Sequence, residues 1–243
     1  MRGYIQVRPA RLLFGIASVA YGIVGLLSHH HAQPAATFAH VAALLEIVGG
    51  AAILISMAEG VGAALLLAAY LITTLLTVPA IIAAPFSYNP WGNAFEQLSL
   101  LTGALLVFGG FSPALKPRAL QRIGRILIGL CSASFAAEQA FYLAPTASLV
   151  PKWIPPSPMF WAYATTIAFA LAAIALLIDR SSLLAARLLT AMIAFFGLIV
   201  WVPAVVGAPH DLIGWSEGAE TFAIAGATWI LTDLLAGRSP RWR

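Results

Sequence analysis

Apolar residues run along this chain in eight long stretches, at 12–27, 38–57, 61–84, 94–111, 123–143, 159–178, 183–206 and 220–236. Polar residues inside them are scattered singly and do not alternate with apolar ones, as the strands of a membrane barrel would. A bilayer core about 30 Å thick is crossed by about 20 residues of helix. The pattern therefore predicts an all-α polytopic membrane protein with eight transmembrane helices, of which the first and last runs are the shortest. Between runs the chain is punctuated by turn chemistry. Ala58-Glu59-Gly60 and Asp179-Arg180-Ser181-Ser182 read as tight turns, and Ser112-Pro113-Ala114-Leu115-Lys116-Pro117 as a linker whose prolines end the fourth helix. A longer break at 144–158 carries Pro145, Pro151, Pro155, Pro156 and Pro158 around Lys152-Trp153. That proline density predicts a stiff segment, either a lid or a loop resting on the lipid surface. Pro79 and Pro203 fall near the ends of equivalent runs, where a proline bends a helix or stops it.

The runs repeat. Val78-Pro79-Ala80-Ile81 returns as Val202-Pro203-Ala204-Val205, and Trp91 and Glu96 return as Trp215 and Glu220, all 124 positions later. Arg11-Leu12-Leu13-Phe14-Gly15 resembles Arg125-Ile126-Leu127-Ile128-Gly129, at an offset of 114. The expected organisation is one four-helix unit used twice: 1–111, a linker at 112–121, and 122–243. Four helices is an even number, so the copies share an orientation and are related by an axis along the membrane normal.

Composition agrees with this and charge adds direction. The chain is 61% hydrophobic and only 9% charged, against about 25% charged in soluble domains. Of the 13 basic residues, all but Lys152 fall on the side that carries both termini in an eight-helix arrangement. The positive-inside rule makes that side cytoplasmic and the chain a multi-pass protein of the plasma or inner membrane. The same residues explain the net charge of +4 by anionic lipid, without nucleic acid. Trp91, Trp153, Trp161 and Trp215 gather at the opposite ends, as an interfacial aromatic belt does. Arg2, Arg8 and Arg11 before an apolar run mimic a secretory signal. The second copy of that run lies inside the chain, which favours a retained helix. The one cysteine, Cys131, excludes an intrachain disulfide and reads as a small buried residue.

Ionisable groups inside spans cost about 2.5–3.5 kcal/mol at a helix centre on insertion scales, so each asks for a reason. Glu46, within Leu44-Leu45-Glu46-Ile47-Val48-Gly49-Gly50, is the sharpest case. Glu138 shares a helical face with Ser134, and Glu96 shares one with Ser99 and Gly103. His40 precedes Glu46 by six residues and so points about 120° away. All of these, with Glu220, fall in the outer half, which predicts an outward-facing cavity between the copies. Simpler roles stand beside these. Glu96 and Glu220 suit helix starts, where the dipole favours carboxylates. Glu46 and Glu138 suit interhelical hydrogen bonds. His29-His30-His31 suits a solvated loop or a weak metal site. No ligand spacing is specific enough to assign a metal.

The motifs at Arg11-Leu12-Leu13-Phe14-Gly15 and Leu44-Leu45-Glu46-Ile47-Val48-Gly49-Gly50 resemble the DoxX family of small four-helix membrane proteins. Leu149-Val150-Pro151-Lys152-Trp153-Ile154-Pro155 before Phe160-Trp161-Ala162-Tyr163 resembles DoxX-like relatives. The chain is thus similar to two fused DoxX-type units. Some members are linked to membrane oxidoreductase systems acting on quinones, thiosulfate or oxidative stress. Glu46 sits where the family's Leu-Glu-Leu-Gly-Gly-like motif places its acid. The second copy departs from it, with no carboxylate around Ile167-Ala168-Phe169. The resemblance implies a membrane component of a quinone-linked system. Glu46, with His40 or Glu138, would handle protons, while Glu96, Glu220, Trp91 and Trp215 would border the cofactor. The chain shows no electron carrier of its own, so such a role calls for a redox partner subunit. The alternatives are a scaffold or chaperone holding lipid or a partner helix, and a transporter. Parallel copies and the absence of a Gly-Pro break at the midplane weigh against the last.

Overall fold

The computed structural model describes residues 9–28 and 35–237. The histidine run and the basic tails lie outside the described residues. What is described is helical: α1 (Pro9–Leu27), α2 (Ala35–Ala52), α3 (Glu59–Leu76), α4 (Val78–Ala83), α5 (Asn89–Gly109), α6 (Pro117–Phe141), α7 (Leu143–Leu149), α8 (Pro158–Leu177), α9 (Ser182–Phe196), α10 (Val202–Gly207) and α11 (Leu212–Leu235), with a π-helical turn at Gly197–Trp201 between α9 and α10. Five units are long and apolar enough to cross a membrane: α1, α2, α3–α4, α8 and α9–α10. The pair α6–α7, bent by 97°, is a sixth if the two are taken as one broken span. That is fewer than the eight the apolar runs predict. The helices that fall short are α5 and α11, and the cause is their polar residues: Asn89, Asn93, Glu96 and Gln97 in one, Ser216, Glu217 and Glu220 in the other.

Those two helices are the centre of the bundle. α5 and α11 pack on each other, α1 packs on α2 and α11, and α6 packs on α8 and α5. α2 then packs on α3, which returns to α5, and α8 packs on α9, which returns to α11. Each half therefore donates its last helix to the first helix of the other. α11 meets α1 antiparallel, since Gly226 in its second half lies against Phe14 in the first half of α1. One end of the bundle thus carries the start of α1 and the finish of α11, and the other is called the far end below. The perimeter presents apolar side chains such as Ile16, Ile23, Val48, Leu71, Leu171 and Leu188 outward, as lipid requires.

Several elements recur at the sequence offset. α4 and α10 occupy positions 124 residues apart, each opened by its proline in the first turn. Pro79 and Pro203 therefore neither stop nor simply bend the helix. Each begins a further short one, because a first-turn proline lacks only an N–H that would be unpaired anyway. Arg11 on α1 forms an ion pair with Glu59, which opens α3 instead of lying in the turn before it, and Arg125 on α6 pairs with Asp179 at the α8–α9 turn, 3.2 Å away. Local chemistry corrects three other boundaries. Pro117 starts α6 and does not terminate a linker, which shortens the expected 112–121 connection. The proline-rich 144–158 segment contains α7, turned 97° from α6. Asp211 caps α11 by accepting from the Ile213 N–H at 3.0 Å, so that helix starts eight residues before Glu220.

Candidate functional site

Two cavities flank the α5–α11 seam toward the far end, one on each side. The first, of about 440 Å³, lies among α1, α2, α3, α5 and α11. Its walls include Tyr21, Glu46, Glu96, Gln97, Glu217 and Glu220. The second, of about 770 Å³, is walled by α5, α6, α8, α9 and α11, with Glu96, Glu138 and Glu217 beside Phe135, Phe169 and Phe196. The single cavity expected between the copies is thus two, which share Glu96 and Glu217. Among the described residues neither wall carries Lys or Arg.

Glu46 is the buried acid of the first cavity. It is 2% exposed, and its Oε1 has no hydrogen-bond partner among the described residues. Its helix is set close to α1 by glycine: a Cβ on Gly22 would stand 2.5 Å from the Ala43 carbonyl and 3.0 Å from Glu46 Cβ. Any larger residue at 22 would push Glu46 away from the cavity wall. Opposite, the Gln97 amide donates to Tyr21 Oη at 3.0 Å and to Glu220 Oε1 at 2.6 Å. Since the amide donates to it, the Tyr21 hydroxyl keeps its own hydrogen for another acceptor. Gln97 Oε1 is itself buried without a partner. A buried polar atom left unpaired costs about 1–3 kcal/mol, so two of them on residues that line one cavity mark a candidate site for something that bonds there.

Glu96 and Glu220 are not helix-start carboxylates. α5 begins at Asn89 and α11 at Leu212, which puts both acids beyond the first turn where the dipole acts. Glu138 lies in the last turn of α6, and its carboxylate lies against Gly92, where a Cβ would come within 2.6 Å of Oε1. Ser134, one turn earlier, holds the Tyr88 hydroxyl at 2.8 Å. Where the second half lacks an acid, Phe169 packs edge-on to Phe135 at 5.4 Å.

The structure does not bring His40 to Glu46. Its Nδ1 meets the Ala36 carbonyl of its own helix at 2.5 Å, and it lines neither cavity, as the six-residue spacing implies. Trp215 lines neither cavity, and Trp91 lines a separate one of about 490 Å³ with Phe86, Tyr88 and Phe141. Each donates its indole N–H to the carbonyl of a proline six residues earlier: Pro85 at 3.1 Å and Pro209 at 3.0 Å. Trp161 does the same with Pro155 at 2.9 Å. These tryptophans staple helix starts at the far end. Trp91→Phe and Trp215→Phe are each expected to cost about 1 kcal/mol or less, read as a small drop in the thermal unfolding midpoint in detergent.

Sequence reading missed Glu217, Gln97 and Tyr21. Glu217 was legible, because it stands 124 positions after Asn93, a cavity-lining residue of the first half. Tyr21 and Gln97 gave no such signal, since either residue is ordinary at a helix face. Among the described residues no three of His, Cys, Asp and Glu converge as metal ligands would. No family model, curated protein or solved structure matches the chain.

Proposed function

We propose that this chain is an eight-span membrane protein of two fused DoxX-like four-helix units, with both termini cytoplasmic. We further propose that its first cavity takes the headgroup of a quinone for a redox system completed by a partner subunit. The eight spans are the six apolar ones together with α5 and α11, whose polar residues face cavities and each other instead of lipid. Tandem duplication is supported by the matched helix-opening prolines, the matched tryptophan staples and the two arginine–acid pairs. Twelve basic residues on the side of the termini support the orientation.

The observation that carries the ligand is Glu46 Oε1, an orphaned polar atom on a cavity wall otherwise formed in part by Leu76, Ala39, Ala43 and Ala80. A quinone ring is apolar with carbonyl acceptors, and on reduction it takes up two electrons and two protons. Its acceptors fit a wall that offers the Tyr21 hydroxyl and a carboxyl able to hold a proton. Glu46 supplies or receives a proton at its free oxygen. Gln97 fixes the Tyr21 hydroxyl and the Glu220 carboxyl in place, and the packed helices keep bulk water from the inner end of the cavity. The electrons belong to the partner subunit.

The test is lipid mass spectrometry of the protein purified in native nanodiscs, with decylubiquinone titration in parallel. Wild type is expected to retain quinone near one per chain, and Glu46→Gln to bind decylubiquinone about tenfold more weakly, the loss of one buried hydrogen bond. Quinone at no more than the level of empty nanodiscs in wild type overturns the reading. Enrichment of phospholipid alone would point instead to a lipid-holding scaffold.

A further inference from the structure

A ligand filling the first cavity closes the direct path from solution to Glu46, so protons must then arrive from elsewhere. The two cavities meet at Glu96 and Glu217, which line both. The second cavity has its own rim at the far end, where Asn89, Pro145 and Ile213 are exposed, and Glu138 stands on its wall. On the first-cavity side the walls carry Glu220, held by Gln97, and then Glu46. Carboxyls alone among these groups bind a proton on one oxygen and release it from the other, and among the described residues no Lys or Arg lines either cavity to trap them as fixed anions.

We infer that the second cavity is the proton entry for the first, with Glu138, Glu217 and Glu96 passing protons from the far end to the Glu220–Glu46 group. Each transfer moves one proton from a carboxyl to the next carboxylate, so every relay acid returns to its starting state. The net change is one proton taken from solution and one delivered to Glu46. The row of acids does not stand alone as evidence. Glu46 Oε1 and Gln97 Oε1 are both buried without a hydrogen-bond partner on the wall where the row ends, and these are the atoms at which a delivered proton or a ligand would complete the bonding. The inference deepens the reading of the first cavity as a ligand site and rests on it. It also explains why the second half carries Glu138 and Glu217 where Glu46 has no counterpart.

The experiment reads proton arrival at Glu46 directly and needs no quinone. Asn93, exposed and lining only the first cavity, is replaced by Cys and labelled with pyrene maleimide to plug that mouth. Cys131 is buried, and mass spectrometry confirms a single label. Hydrogen–deuterium exchange of the Glu46 carboxyl is then followed by infrared spectroscopy in nanodiscs, the band being the one lost in Glu46→Gln. Exchange is expected to persist in the plugged protein and to slow about tenfold or more when Glu217→Gln or Glu138→Gln is added. Two results overturn the proposal: exchange abolished by the plug alone, or plugged exchange unchanged in both carboxamide variants. Thermal unfolding of each variant identifies any slowing that comes from misfolding. Quinone binding is scored separately on the unplugged protein, so loss of the ligand reading and loss of the proton route give different results.

Discussion

Glu59→Gln is expected to destabilise the protein by about 3–5 kcal/mol, and Asp179→Asn by about 1 kcal/mol or less, although each acid partners the arginine that opens the repeated first-helix motif of its half. The difference comes from solvent. Arg11 and Glu59 are 2% and 0% exposed, so removing the carboxylate takes from a buried guanidinium a charge partner that water cannot replace. Two charges away from water repay their desolvation only together, and breaking such a pair costs far more than the pair is worth. Asp179 is 64% exposed, and its Arg125 partner also donates to the Leu176 and Leu177 carbonyls. Arg125 therefore keeps acceptors when Asp179 changes. Asp179 also sits at φ 60°, a left-handed conformation that asparagine tolerates well. Denaturant unfolding of both single variants and of Arg11→Met/Glu59→Gln checks this. The double variant is expected to recover part of the loss, because the buried guanidinium is then removed together with its carboxylate. Equal effects of Glu59→Gln and Asp179→Asn would show that burial is not what separates the two pairs.

These pairs show where sequence reading succeeds and where it stops. Arg11 and Arg125 were visible as a repeat, and Glu59 and Asp179 as turn residues, because identity and order are sequence properties. That each arginine reaches an acid about 50 residues away is a property of packing. The same holds at the cavities. Glu46, Glu96, Glu138 and Glu220 stood out because a carboxylate in an apolar run is expensive, and all four line a cavity. His40 stood out as an ionisable group and Trp91 and Trp215 as repeated tryptophans, yet each bonds a nearby carbonyl and none lines either acid-walled cavity. Residue type shows which groups need a partner. Whether the partner is local backbone or a distant wall is decided by helix phase and crossing. Membership of the core followed hydropathy less well still: α5 and α11 are not apolar enough to count as membrane spans, yet they sit at the centre of the packing. In a bilayer the most apolar faces turn outward, and polar residues are driven to the middle.

That central packing makes a second prediction with a sign that reverses along one helix. Gly226→Ala on α11 is expected to destabilise by about 1–3 kcal/mol, and Gly214→Ala on the same helix to be neutral or stabilising by up to about 1 kcal/mol. A Cβ at 226 would stand 2.7 Å from both N and Cα of Phe14, which are backbone atoms and cannot rotate aside. The same seam is tight on its other face, where a Cβ on Gly103 of α5 would come 2.6 Å from Ala227 Cβ. α1, α5 and α11 thus approach through glycine and alanine, which in lipid is how helices gain contact without a hydrophobic drive between them. At 214 the nearest atoms to a new Cβ are Asp211 Oδ2 at 3.7 Å and Val205 Cγ2 at 3.9 Å, ordinary contacts, so only the gain in helix propensity remains. Unfolding in mixed detergent gives both values. If the two substitutions shift stability equally, the α1–α11 crossing is looser than its glycine implies. The walls of both cavities, which this crossing and the α5–α11 seam hold at their separation, would then be free to move as well.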